Sequence, residues 1–166
     1  SAASDVYKRQ LLPVVTIIIM ETFLAKMRRL QGVRKVLLLE EAWKAIAKEG
    51  MASYVKYLYK TVRKYFGEAI VVTQEVEDII SSPIVKESII NNADCKILLD
   101  QRKYRNKFDQ IQTLLGLTDK ERAQVLSINL SNDPARRYKE VFISLGGVQS
   151  AVYATEVSDE EYLVRP

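Results

Sequence analysis

The sequence predicts an α/β fold with a mostly parallel sheet and a carboxyl-terminal hairpin. Three observations predict it. Short stretches at 35–39, 69–73 and 95–99 are apolar almost throughout. They alternate with segments of helical periodicity, and Gly146-Gly147 separates two β-rich runs near the end. Strands that read as continuous apolar runs suit a parallel sheet covered on both faces, and alternation with helices supplies the covering layers. A two-glycine break between β-rich runs suits a tight hairpin turn.

The 166 residues are 48% hydrophobic and 28% charged, enough for one domain with a core and unlike a disordered chain. A formal net charge of +4 is a mild basic bias, compatible with nucleic acid or an anionic membrane but requiring neither. Histidine is absent, which removes Ser-His-Asp and Cys-His catalysis and every histidine-ligated metal site. The single cysteine, Cys95, makes no intrachain disulfide and no zinc cage; it reads as a small buried hydrophobe in a reducing compartment.

Taken in order, SAASDVYKRQ followed by LLPVVTIIIM mimics a signal peptide. Residues 1–10, however, are identified as the translation of a sequencing-library adapter ending in a transposon mosaic end. That segment is therefore expected to be an artefact, with the protein starting abruptly near Leu11. Asp5, Lys8 and Arg9 together contribute one positive charge, so the remainder carries +3. The apolar run from Leu11 to Met20 is about half of the roughly twenty residues a membrane span needs. Pro13 to Leu30 reads as one helix with Pro13 in its first turn, stopped at Gln31-Gly32.

The strand 35–39 comes next, then helical territory around Trp43 and Ile46. From Met51, Tyr54, Val55, Leu58, Val62, Tyr65 and Phe66 share one expected inward face, with Lys56, Lys60, Arg63 and Lys64 outside it. The aromatics Tyr54, Tyr57, Tyr65 and Phe66 read as core. Gly67 ends that helix, and the second strand runs to Gln74. A short helix and another beginning at Ser82-Pro83 lead to the third strand, which ends at Asp100-Gln101. Lys103 to Leu115 reads as a helix with Phe108, Ile111, Leu114 and Leu115 inward. Thr118 and Glu121 have capping-box spacing, and so do Ser158 and Glu161. Asn132-Asp133-Pro134 reads as a loop, and Val141–Leu145 with Val148–Tyr153 as the closing hairpin.

In open α/β sheets, ligands sit beyond the carboxyl ends of the strands. That rule sets Glu40, Glu41, Gln74, Asp100 and Gln101 along one edge. A nucleotide hydrolase needs a carboxylate near its magnesium and a second group that orients or deprotonates the attacking water. Glu40 and Glu41 leave a buried strand in different directions and can divide those tasks, while Gln74 can hydrogen-bond the terminal phosphate or the water. Polar residues also occur wherever a strand reaches solvent, and spacing alone leaves both readings open. The basic face of Lys56, Lys60, Arg63 and Lys64 reads as solvated or as tracking phosphates or lipid headgroups. A second basic cluster, Arg102, Lys103, Arg105 and Lys107, follows the third strand. Arg102 there is a candidate for reaching a neighbouring subunit's phosphate.

KVLLLEEAW at 35–43, IVVTQ at 70–74 and NNADCKILL at 91–99 resemble the carboxyl-terminal half of TraG-family conjugation ATPases. So do the stretch from Lys48 to Tyr104 and the closing FISLGGVQSAVYATEVS. Those proteins belong to conjugative transposons and are similar to the large ATPases of type IV secretion systems. The resemblance covers nearly everything from Leu11 on. It implies a three-layer RecA-like P-loop NTPase core of the additional-strand type, with residues 11–166 as its carboxyl-terminal part. It implies ATP and Mg2+ as cofactors of the parent, with Glu40 on the metal side, Glu41 as catalytic carboxylate and Gln74 as sensor. The family more often has aspartate at the first of these, so Glu40 shifts the carboxylate by about one methylene. Arg102 matches no family motif.

The phosphate-binding GxxxxGK[ST] segment is absent from these residues, so the chain is expected to be truncated before it and inactive alone. The implied partners are further copies in a hexamer and conjugation or type IV secretion channel proteins. The implied location is cytoplasmic, peripheral at the inner membrane, with no transmembrane segment in this part. A DNA-translocating motor of the coupling-protein or HerA/FtsK type, which would add DNA as a partner, is the second reading. A non-catalytic assembly module is the third.

Overall fold

The computed structural model describes residues 2–40, 49–74, 89–131, 136 and 138–164. They fall into two compact units, Ser1–Asn92 and Ala93–Pro166.

The first unit opens with helix α1, Ala2–Arg29. It begins well before the expected start at Pro13, because the alanine, lysine, arginine, glutamine and leucine upstream are helix formers. Pro13 therefore stands inside the helix rather than in its first turn. Strand β1 is Lys35–Glu40. Helix α2 is Glu49–Thr61, continued by a 3-10 turn at Val62–Tyr65. Strand β2, Gly67–Val72, pairs in parallel with β1, in a register that sets Lys35 against Gly67 and Glu40 against Val72.

The core of this unit joins Met20, Leu24 and Met27 of α1 to Leu37 and Leu39 of β1 and to Val55, Leu58, Tyr59 and Val62. The chain packs tightly at Gly67, where an added Cβ would lie 2.7 Å from Val62 Cγ2 and 2.9 Å from Met27 Sδ. The second face of the strand pair, Val36, Leu38, Ile70 and Val72, is exposed. The apolar runs predict cover on both faces; among the described residues, helices cover one. Residues Leu11, Val14, Val15, Ile18 and Ile19 of α1 are exposed as well.

The inward face of α2 also differs from expectation. Tyr54, Tyr57 and Phe66 are exposed and Tyr65 is half-buried. The change to a 3-10 turn at Val62 shifts the side-chain phase, and Phe66 closes that turn in a left-handed conformation, φ 55°. Tyr54 and Tyr57 flank the buried stripe, and Arg28 Nη2 of α1 donates to Tyr57 Oη at 2.8 Å. Tyr59 is buried in their stead, and burial pushes its phenol well above the usual range.

The second unit begins with β3, Cys95–Leu98, then a 3-10 helix at Arg102–Lys107, α3 at Phe108–Leu115 and α4 at Asp119–Ser127. Strands β4, Tyr138–Leu145, and β5, Gln149–Glu156, form the hairpin, and α5 is Asp159–Val164. The strand order is β3-β4-β5 and every pairing is antiparallel. The expected fold class, α/β with a mostly parallel sheet and a carboxyl-terminal hairpin, is borne out as α/β with parallel pairing and that hairpin; the third strand departs from it in detail, because its partner is β4, which runs the other way. Gly146 and Gly147 both have positive φ, and Val148 N–H closes the turn on Leu145 O at 3.0 Å. The ladder resumes at Leu145 and Gln149, so Val148 stands outside it at the tip.

Phe108, Ile111, Leu114, Leu117, Val125, Ile128, Val141 and Phe142 form this unit's core. Leu115 is only half-buried. Cys95, expected to be buried, is exposed with Ile97 and Leu99. The three alternate along one face of the strand, which the helices of this unit do not cover. Trp43, the Ser82-Pro83 start and the Asn132–Pro134 loop lie outside the described residues.

Candidate functional site

The strand ends of the first unit come from simple geometry. Two parallel strands in register finish together, so Glu40, the last residue of β1, is opposite Val72, the last of β2. Thr73 and Gln74 continue from that point, and both Glu40 and Gln74 are exposed. The pair of residues the sequence assigns to a metal-side carboxylate and a phosphate sensor thus leaves one end of one parallel pair. What holds that end is apolar packing beneath it: Leu37 and Leu39 are buried against the helices. Glu41 follows directly in sequence and lies outside the described residues.

In the second unit Asp100 and Gln101 follow the end of β3, and Arg102 opens the 3-10 helix. Here the ends are held by polar contacts. Arg102 backbone N–H and Nε each donate to Asp100 Oδ1 at 3.0 Å, and Nε also approaches Oδ2 at 2.8 Å. Nη2 lies 2.5 Å from Oδ2. These bonds from Arg102 hold the Asp100 carboxyl below the usual carboxylate range, against a partial desolvation that works the other way. Gln101 Nε2 donates to Leu99 O at 3.1 Å.

The basic residues are exposed in both units. Lys56 and Lys60 project from α2, and Arg63 and Lys64 from the turn after it. Arg63 Nη2 reaches Asn92 O at 3.5 Å. Arg34 pairs with Glu68 across the starts of β1 and β2.

The donor set can be tested against the implied cofactors. Among the described residues no group of three or more acidic or cysteine side chains could hold a metal ion. A protein-only metal cage therefore does not fit. Magnesium in nucleotide sites keeps several waters and is held by one or two carboxylates together with phosphates. A single exposed carboxylate at a strand end, Glu40, fits that mode. The phosphate cradle does not fit these residues, since the sequence has no GxxxxGK[ST].

Sequence reasoning missed one polar centre. Glu121 is buried, and its carboxylate does two jobs. Oε2 accepts from Thr118 N–H at 2.8 Å and Thr118 Oγ1 at 3.0 Å, completing the capping box. Oε1 accepts from Ser144 Oγ at 3.0 Å, joining α4 to the hairpin. Burial alone would raise the pKa, but bonds from Thr118, Ser144 and Ser150 outweigh it and lower it. The capping spacing was legible; the serine on β4, 23 residues away, carries no local signal.

Among the described residues no helix is long and apolar enough to cross a membrane. No curated protein matches the chain. A solved structure, VirB4 of Thermoanaerobacter pseudethanolicus, is similar at 23% identity with a TM-score of 0.66. The similarity covers 93% of this chain and 38% of that one, so this chain spans well under half of that relative. This likeness shows the α/β P-loop fold. A family described as the TraG P-loop domain matches residues 5–165, almost the whole chain. The chain belongs to the TraG P-loop domain family.

Proposed function

We propose that residues 11–166 are the carboxyl-terminal part of an ATP hydrolase that serves conjugation or type IV secretion. The parent couples hydrolysis to DNA or protein transfer, or to assembly of the channel. The observation that carries this reading is the parallel register that ends β1 and β2 together at Glu40 and Val72, within a TraG P-loop chain. Magnesium-bound ATP, when present, supplies the phosphoryl group to be transferred to water. Glu40 would help to hold the magnesium, Glu41 would orient or deprotonate the attacking water, and Gln74 would hydrogen-bond the terminal phosphate or that water. Arg102 acts as an arginine finger on a neighbouring copy's nucleotide. The active form is a hexamer on the cytoplasmic side of the inner membrane, docked on channel proteins.

The decisive experiment is Glu41→Gln in the intact parent. Hydrolysis should fall by about a thousandfold or more while nucleotide binding persists, as expected for loss of water activation alone. Undiminished turnover would remove the assignment. Purified Leu11–Pro166 should show no magnesium-dependent turnover, for want of the phosphate loop.

The exposed basic surface of Lys56, Lys60, Arg63 and Lys64 favours one second reading, a DNA-translocating motor. Hydrolysis stimulated by DNA, with a steep fall as salt rises, would select it.

A further inference from the structure

Arg102 is not a loose surface arginine. Asp100 grips one edge of its guanidinium, the edge formed by Nε and Nη2, and also holds its backbone N–H. A guanidinium has two usable edges. With the Nε–Nη2 edge taken, the end-on edge formed by Nη1 and the second Nη2 hydrogen can still meet an oxyanion. The Arg102 side chain is 50% exposed.

The grip is itself braced. The Asn129 side chain is among the groups that lower the Asp100 pKa, after Arg102. Asn129 stands just after α4 in a left-handed conformation, φ 54°, which asparagine tolerates better than most residues. Its backbone N–H donates to Glu140 Oε2 at 2.7 Å, and its Oδ1 accepts from Glu140 N–H at 2.9 Å. Asn129 is thus anchored to β4 on one side and acts on Asp100 on the other, while Asp100 holds Arg102. Freely rotating surface ion pairs contribute little because ordering two long side chains costs entropy. A carboxylate fixed from behind has already met that cost.

We infer that Asp100, braced by Asn129, is a positioning residue that presets the Arg102 guanidinium for the terminal phosphate of a nucleotide held by a neighbouring copy. This rests on the arginine-finger reading of Arg102. Such presetting matters because donors aimed in advance at developing charge need no reorganisation during reaction.

The test is steady-state ATP hydrolysis by the intact parent. Arg102→Ala should lower kcat by about a thousandfold with little change in KM. Asp100→Asn should lower kcat by about tenfold, again at constant KM, since it misplaces rather than removes the donor. Asn129→Gly keeps the left-handed backbone accessible and removes the amide, so it should give a smaller loss of the same kind. In an Arg102→Ala background, Asp100→Asn should cost nothing further. If Arg102→Ala leaves kcat intact, the finger reading falls and this inference with it. If Arg102→Ala cripples turnover but Asp100→Asn does not, the finger stands and the positioning role is refuted. An Asp100→Asn loss that persists without Arg102 also refutes it, since a general folding defect would behave that way.

Discussion

Around Glu40 and Gln74 the first unit holds its strand ends from below, with Leu37 and Leu39 buried in its core. Around Asp100 and Arg102 the second unit holds its strand end from the side, through the Asp100 carboxylate. Apolar packing is non-directional; it fixes where a strand lies and leaves a terminal side chain free to turn. Hydrogen bonds fix direction as well as place. The difference suits the proposed division of work. A carboxylate that meets a metal through water needs reach, whereas a cation aimed at a phosphate needs an angle.

The contrast can be broken by attacking each unit with the change it should tolerate least. Leu58→Ala removes a fully buried side chain of the first unit and should cost about 3 kcal/mol by transfer and cavity terms. Hydrogen exchange resolved by segment should show the loss in β1 and β2 while β4 and β5 keep their protection; a uniform loss would mean that the units do not open separately. Glu121→Ala should cost about 2 kcal/mol, because it leaves Thr118 and Ser144 donors unmet, and its effect should be confined to the second unit.

Acidification sharpens the same point. Glu121 titrates lower in the folded chain than its ordinary 4.5, so the unfolded state binds the proton first. Its contribution is therefore complete above about 4.5 and is lost as pH falls through the lower folded value. Urea titrations between neutral pH and pH 3 should show this loss in the parent sequence and its absence in Glu121→Gln. Gly67→Ala, which drives a methyl into Val62 and Met27, should cost about 1–2 kcal/mol in the first unit. Deleting residues 1–10, expected to be an artefact, should change stability least of all, by about 0.5 kcal/mol or less.

Local signals made much of this legible. The Thr118 and Ser158 caps each form with a glutamate three residues on, as the spacing predicts, because both partners lie within one helical turn. The three apolar runs became strands, and Glu40 and Gln74 left the same end of a pair. Pairing partners were less legible. Nothing within Cys95–Leu98 says that its neighbour is β4, since apolar runs suit either direction. The phase of the expected inward face was misjudged at Tyr65 and Phe66 because a 3-10 turn follows α2, and periodicity assumes one geometry throughout. The reach of Glu121 to Ser144 and of Asn129 to Asp100 depends on chain segments far apart in sequence, where no spacing rule applies.

Cys95 gives the chain a built-in reporter. It is the sole thiol, it is exposed, and it shares a sheet face with Ile97 and Leu99. A maleimide fluorophore would attach at that one place without any engineered cysteine. Its labelling rate and emission in this chain would then read out, in real time, whether that face of β3 is open to solvent or shielded.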